Sequence, residues 1–174
     1  MVYFTTERLI FRSWEEGDIA PFRLMNRDPT VMEYFPKTLT EAESDSFYNR
    51  ILEEFHSGRY GLYAVETKDN HEFIGFIGFH RATFDAPFTP CVEIGWRLRA
   101  EAWGKGYATE GAKACLEYGF GELGLDKVYS FTATVNKRSE NVMIKIGMKK
   151  VGEFLHPNVP KESVLAAHVL YCAP

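Results

Sequence analysis

One stretch restricts this chain more than any other: Trp96–Glu110, reading Trp-Arg-Leu-Arg-Ala-Glu-Ala-Trp-Gly-Lys-Gly-Tyr-Ala-Thr-Glu. It is entered from an apolar run, Val92–Leu98, that reads as a strand. Gly104 and Gly106 then break the chain, and Ala108, Ala112, Cys115, Leu116, Gly119 and Leu123 follow at the spacing of one helical face. A second strand is expected over Lys127–Val135. The unit is strand, glycine turn, helix, strand. Its turn suits an anion, because the first N–H groups of a helix lack intrahelical partners and lie at the positive end of the helix dipole. Glycines let the backbone come close to such a ligand, and Lys105 between them adds a charge.

Two common phosphate loops do not fit. A P-loop requires G-x-x-x-x-G-K-[ST], but Lys105 is followed by Gly106 and Arg99 stands where the first glycine belongs. A dinucleotide fingerprint, G-x-G-x-x-G, takes Gly104 and Gly106 but meets Thr109 at its third glycine. Asp126 precedes the second strand, whereas a ribose-binding acid should follow it.

A third pattern does fit. Trp103-Gly104-Lys105-Gly106-Tyr107-Ala108-Thr109-Glu110 resembles the acetyl-CoA loop of the GNAT acyltransferases, Q/R-x-x-G-x-G/A, in the W-G-x-G-Y-A-T-E form favoured by the RimJ/RimL-like branch. The Q/R position holds Glu101, which cannot act as a cationic phosphate ligand, so backbone N–H groups must carry more of the binding. Asn136-x-x-Ser139-x-x-Val142-Met143-x-Lys145-Ile146-Gly147-Met148 resembles a second signature of the same branch, and Thr6-Glu7-Arg8-Leu9 resembles its start.

The rest of the chain reads as α/β. A first strand is expected over Thr6–Trp14, then a helix from Asp18 to about Arg27 stopped by Asp28-Pro29, and a short turn at Val31–Pro36. Thr40 with Glu43 forms a capping box for a helix over Glu41–His56. Strands follow at Gly61–Glu66, Glu72–Arg81 and Val92–Leu98. Gly75 and Gly78 suggest a bulge or close packing in the second of them. After the central unit come a short helix at Glu140–Ile146 and closing strands at Met148–Leu155 and Val164–Tyr171. No repeat or linker divides residues 1–174, so one domain is expected. The resemblance implies a mostly antiparallel mixed sheet of about seven strands with a parallel, splayed central pair, flanked by about four helices.

It also implies a site. The pantetheine arm of acetyl-CoA should lie between the splayed strands, pairing with backbone of Trp96, Arg97 and Leu98. The pyrophosphate should rest on Gly104, Lys105, Gly106, Tyr107, Ala108 and Thr109, with Asn136 and Ser139 reaching the arm from the second strand. Arg97, Arg99, Lys105, Lys137 and Arg138 are expected to form a basic rim. An α-amino group, pKa ~7.7–8.0, needs little help to become nucleophilic, while a lysine at ~10.4 needs a base. Glu93, among Val92, Ile94 and Trp96, is the candidate base, since burial would raise its pKa. Many enzymes of the superfamily use a tyrosine as acid where this chain has Met143, so Ser139 inherits the role of steadying the thiolate; as an alternative it caps the helix at Glu140. Trp14, Glu33, Tyr34, Phe35, His80 and Phe84 are candidate lining for the acceptor pocket. His156 and His168 read as structural or solvent-exposed, without metal-ligand spacing.

Composition bounds the function. A net charge of −4 argues against general nucleic-acid binding, and no apolar run approaches membrane-spanning length. Three scattered cysteines, without a C-x-x-C pair or a secretory leader, point to a reducing cytoplasm and no metal centre. The expected activity is acetyl-CoA-dependent N-acetylation of a primary amine, on a protein N-terminus or a small molecule, by direct attack in a ternary complex. A non-catalytic acyl-CoA sensor is the alternative. An NAD-dependent oxidoreductase is disfavoured by Thr109. Open sheet edges and exposed aromatics allow a homodimer.

Overall fold

The computed structural model describes residues 1–173. Eight strands form one sheet: β1 (Val2–Thr5), β2 (Leu9–Arg12), β3 (Leu62–Thr67), β4 (Phe73–Ala82), β5 (Cys91–Leu98), β6 (Val128–Ala133), β7 (Lys149–Leu155) and β8 (Ala167–Ala173). Their spatial order is β1-β2-β3-β4-β5-β6-β8-β7, and every neighbouring pair is antiparallel except β5 and β6. Four α-helices accompany them: α1 (Ile19–Arg27), α2 (Glu41–Ser57), α3 (Tyr107–Gly121) and α4 (Lys137–Lys145).

The sheet has one strand more than the sequence reading gives, because the N-terminus folds as a hairpin. The stretch expected as one strand, Thr6–Trp14, turns at its start, where the Thr6 N–H bonds the Leu9 carbonyl at 2.9 Å. Val2–Thr5 then pairs back on β2. That pairing brings Phe4 onto Phe11, with ring centroids 4.3 Å apart.

Strand alternation divides the core in two. On β3, Tyr63 and Val65 pack toward α3 and α4 with Phe11, Phe79, Ile94, Ala112, Cys115 and Met143. Leu62 and Ala64 face the opposite side, joining Trp14, Phe22, Met25, Ile51 and Phe76 beneath α1 and α2. On β4 the alternation slips at Gly75, which has φ +138° beside an irregular register opposite Val65 and Glu66. Ile74 therefore packs under α3, and Phe76, two residues on, packs under α2. A side chain at Gly75 would sit 2.1 Å from the Arg97 carbonyl oxygen.

Capping fixes the helix ends. Thr40 Oγ1 accepts the Glu43 N–H, and Glu43 returns to the Thr40 N–H at 2.8 Å, as the capping box predicts. The start of α4 differs from expectation. It begins at Lys137, and Asn136 caps it by accepting the Ser139 N–H at 3.2 Å. Ser139 is a residue of the first helical turn, not the cap.

Between β5 and β6 the sheet opens. The two strands pair in register only at Glu93 and Tyr129. One residue further, Ser130 Oγ donates to the Ile94 carbonyl at 3.0 Å. Beyond this latch the strands part. The crossover β5–α3–β6 brings the start of α3 to the gap, where Ala108 joins the lining.

Candidate active site

The glycine turn lies where strand β5 hands the chain to α3. Gly104 (φ +74°) and Gly106 (φ +80°) both occupy the left-handed region, which a side chain would strain. Gly106 is the N-cap of α3, and no side chain caps the helix. Its first N–H groups are left for another partner. The turn is exposed at Gly104, Lys105 and Gly106, while Tyr107, Ala108 and Thr109 are half-buried.

Glu110 holds this turn to the N-terminal hairpin. It accepts from Thr6 Oγ1 at 2.6 Å, the Arg8 N–H at 3.0 Å and Arg8 Nε at 2.7 Å. Burial pushes its carboxyl up, but these bonds and the Arg8 charge prevail and hold it below the usual range. Arg8 also donates to the Lys105 carbonyl at 2.8 Å and covers the Tyr107 ring at 4.5 Å. A guanidinium thus braces the turn from a distant part of the sequence.

The opening between β5 and β6 is a cleft of about 490 Å³. Gly95, Trp96, Arg97 and Leu98 line one wall, and Ser130, Phe131, Thr132, Ala133 and Asn136 line the other. Ser139, Val142 and Met143 enter from α4, and Ala108 from α3. Asn136 is partly engaged, since its Nδ2 donates to Thr132 Oγ1 at 3.0 Å while its Oδ1 caps α4. Of the expected residues, Glu93, Trp96, Arg97, Leu98, Ala108, Asn136 and Ser139 share this cleft.

Glu93 lies on the cleft floor. It is half-buried by area, but protein packs closely around it and the little surface it shows opens into the cleft. Burial therefore governs its ionisation and raises its pKa to about 8. His80 opposes that rise, and Glu54 adds to it. His80 is the direct neighbour of Glu93 across β4 and β5. Its Nδ1 meets Glu54 Oε2 at 2.9 Å, and that bond keeps its pKa above the usual imidazole value against the effect of burial.

The expected basic rim does not gather. Arg99 pairs with Glu72, and Lys137 with Glu140 at 2.9 Å. Arg138 lies over the Trp103 ring at 3.9 Å and 3.6 Å from Glu33. Arg97 points away from the turn, toward α1 and α2. Its Nη1 donates to Asn26 Oδ1 at 2.8 Å, and its guanidinium lies 4.5 Å from the Phe35 ring centre and 5.4 Å from those of Phe47 and Phe76. The cause is strand parity, since Arg97 shares a face with Glu93.

Of the side chains considered for an acceptor pocket, Tyr34, Phe35 and His80 line the cleft. Trp14 does not. It is buried in the core, with Nε1 donating to the Leu62 carbonyl at 2.7 Å. Phe84 does not line the cleft either: it stacks on Phe154 and meets the His156 ring at a tilt of 42°. His156 and His168, read from sequence as structural or solvent-exposed, line the cleft with ring centroids 5.1 Å apart. Burial lowers the pKa of both. Among the described residues, no group of three or more His, Cys, Asp or Glu is placed to hold a metal. No helix among the described residues is long and apolar enough to cross a membrane.

A parallel pair that parts beside an uncapped helix start is the arrangement that the resemblance to the GNAT acyltransferases implies. Comparison with known proteins agrees. Residues 8–149 match the family model described as an acetyltransferase (GNAT) domain. YnaD of Bacillus subtilis, named an uncharacterised N-acetyltransferase, is 32% identical over 161 residues, covering 92% of this chain and 89% of its own. The crystal structure of a GNAT-family acetyltransferase from Bacillus anthracis superposes with TM-score 0.81 at 29% identity, over 99% of this chain and 98% of that one. A spermidine N-acetyltransferase of Vibrio cholerae, solved with CoA and spermine, shares the fold at TM-score 0.73 and 20% identity, over 95% and 94% of the two chains. The chain belongs to the GNAT acetyltransferase family.

Proposed function

We propose that this chain is an acetyl-CoA-dependent N-acetyltransferase of the RimJ/RimL-like branch, folded as one domain over residues 1–174, that acetylates a primary amine by direct attack. The observation that carries the reading is the fork between β5 and β6, with Glu93 on its floor and the left-handed turn of Gly104 and Gly106 at its mouth.

The residues fit the cosubstrate. Beyond Ile94 the β6-facing backbone of β5 has lost its neighbour, so the polar groups of Trp96, Arg97 and Leu98 can pair with the amides of a pantetheine arm. N–H groups from Gly104 to Thr109 suit the pyrophosphate, and Lys105 adds charge at the rim. Asn136 and Ser139 face the arm from the other wall. The Vibrio cholerae protein, solved with CoA, shares this fold, which supports coenzyme A as the cosubstrate.

In the reaction the amine nitrogen forms a bond to the thioester carbonyl carbon and the carbon–sulfur bond breaks. Glu93, directly or through a water, takes the proton the nitrogen sheds. The sulfur leaves as a thiolate, and the Ser139 hydroxyl donates a hydrogen bond to its charge before solvent protonates it. Ser139 is available for this because Asn136, not Ser139, caps α4. Met143, 1% exposed, fills the position of the superfamily's tyrosine and offers no proton. A cytoplasmic setting suits the three unpaired cysteines, Cys91, Cys115 and Cys172. The free edges at β1 and β7 could serve a homodimer.

Thiol release from acetyl-CoA across a panel of amines, with the acetylated product identified by mass, tests the reading. Amine-dependent release of coenzyme A is the expected result. Binding of coenzyme A without release for any amine would instead make the protein a sensor.

A further inference from the structure

Three consecutive same-face positions of β5 are an acid, a glycine and a cation: Glu93, Gly95 and Arg97. All three line the cleft. A Cβ at Gly95 would lie 3.9 Å from Glu93 Oε1, so the Glu93 carboxyl leans along the strand over the space where Gly95 has no side chain. A short slot results, with the candidate base at one end and a guanidinium at the other.

That guanidinium is unusually placed. The other deeply held arginine, Arg12, meets both Asp18, at 2.8 Å, and Glu66, at 2.5 Å. Arg97 has no carboxylate partner among the described residues. Its fixed contacts are a neutral amide, Asn26 Oδ1, and aromatic rings, and its buried Nε has no partner. Asn26, 0% exposed, is itself anchored by donating to Ser44 Oγ at 2.9 Å. A cation taken from water without a counter-charge is costly, and the cost falls when an anion arrives. Among the residues that line the cleft, Glu93 is the one carboxylate against the two guanidinium groups of Arg97 and Arg138. Arg138 has Glu33 at 3.6 Å and His80 has Glu54 at 2.9 Å, while burial holds His156 and His168 toward the neutral form. Arg97 is thus the lining cation left without a carboxylate.

We infer that the acceptor is a small amino acid-like molecule whose carboxylate pairs with Arg97 while its amine lies over Gly95 toward Glu93. The inference rests on the acetyltransferase reading and narrows its substrate class. Size is compatible with it, because a cleft of about 490 Å³ shared with a pantetheine arm still holds a small acceptor. Charge opposes a polyamine, whose second cation would meet Arg97 and find no acid other than the base.

The test is a kinetic panel on the full chain with acetyl-CoA: free α-, β- and ω-amino acids, the carboxamides of the same compounds, short peptides with free N-termini, and spermidine. Free acids are expected to exceed their carboxamides in kcat/KM by roughly 30-fold or more, the loss typical when one partner of a buried charge pair is removed. In Arg97→Met that acid-to-amide ratio is expected to collapse toward one, and in Arg97→Lys to survive in part. Equal turnover of acids and amides by the wild type overturns the inference without needing any variant. So does a loss in Arg97→Met that is the same for both acceptors, which would make Arg97 a clamp on Asn26. Turnover of spermidine or peptides but not of small acids refutes this substrate class and leaves the acetyltransferase reading intact. Acetylation of no amine at all refutes that reading itself.

Discussion

Replacing Glu93 with glutamine should harm catalysis and help folding, and both effects follow from one feature. The carboxyl sits where burial raises its pKa from an ordinary 4.5 to about 8. Below about pH 4.5 it is neutral in folded and unfolded chains alike. Between that value and about 8 the unfolded chain releases the proton while the folded chain retains it. The folded state then binds more protons, and stability falls as pH rises through this window. The full displacement corresponds to a ceiling of about 5 kcal/mol at alkaline pH, trimmed by water that enters the cleft. Glutamine keeps the shape without the ionisation. The variant should melt at the same temperature as wild type near pH 4 and several degrees higher at pH 9, by the usual 2–4 °C per kcal/mol for a chain of about this size. Activity should move oppositely. Wild-type kcat/KM should rise about tenfold per pH unit until the base is ionised near 8, and the variant should lose roughly 10²–10⁴-fold together with that limb of the profile. Its acetyl-CoA KM should change little. An unchanged pH–rate profile in the variant would remove Glu93 as the base. An alkaline melting temperature equal to or below wild type would refute the burial argument.

Other substitutions separate binding, chemistry and packing. Ser139→Ala should lower kcat about tenfold to a hundredfold by removing one hydrogen bond to the leaving sulfur, with its melting temperature nearly unchanged because Asn136 carries the cap; wild-type turnover would reject that role. Gly106→Val should weaken coenzyme A binding in calorimetry and cost about 1–2 kcal/mol in denaturant unfolding, since φ +80° opposes a side chain. Gly111→Ala should destabilise α3 on β4 by about 1–3 kcal/mol in the same unfolding assay, because its methyl would meet Ile77 Cδ1 at 2.5 Å and Phe11 Cζ at 2.9 Å.

Features of this fold that rest on local chemistry can be read in the sequence. The strand–turn–helix unit announces itself because Gly104 and Gly106 must take positive φ, and α2 because Thr40 and Glu43 cap it within one turn. The fork is implied by family resemblance, and its latch is not: Ser130 reaches Ile94 across 36 residues. The hairpin at Val2–Thr5 escapes because its partner strand lies beyond a polar turn and its gain is long-range stacking, Phe4 on Phe11 and on Tyr118 at 4.6 Å. The basic rim fails for a related reason. Arg97, Arg99, Lys105, Lys137 and Arg138 fall at the two turns of the central unit, which suggests one shared ligand, yet Glu72, Glu140 and Glu33 claim Arg99, Lys137 and Arg138, and strand parity turns Arg97 to the other face. Parity was the available signal, since Glu93 and Arg97 are four residues apart on one strand. His156 and His168 carry no such signal, because His156 follows the end of β7 and His168 lies on β8 opposite Phe154 and Ala133, so pairing between distant segments decides where they lie.

The account stands on a ligand arm lodged where β5 and β6 part. A crystal structure of the protein grown with coenzyme A tests it most directly. The predicted density has the pantetheine amides paired with backbone of Trp96–Leu98, the diphosphate on N–H groups between Gly104 and Thr109, and the sulfur near Glu93 and Ser139. Coenzyme A bound elsewhere, or a cleft still empty at saturating ligand, would contradict it.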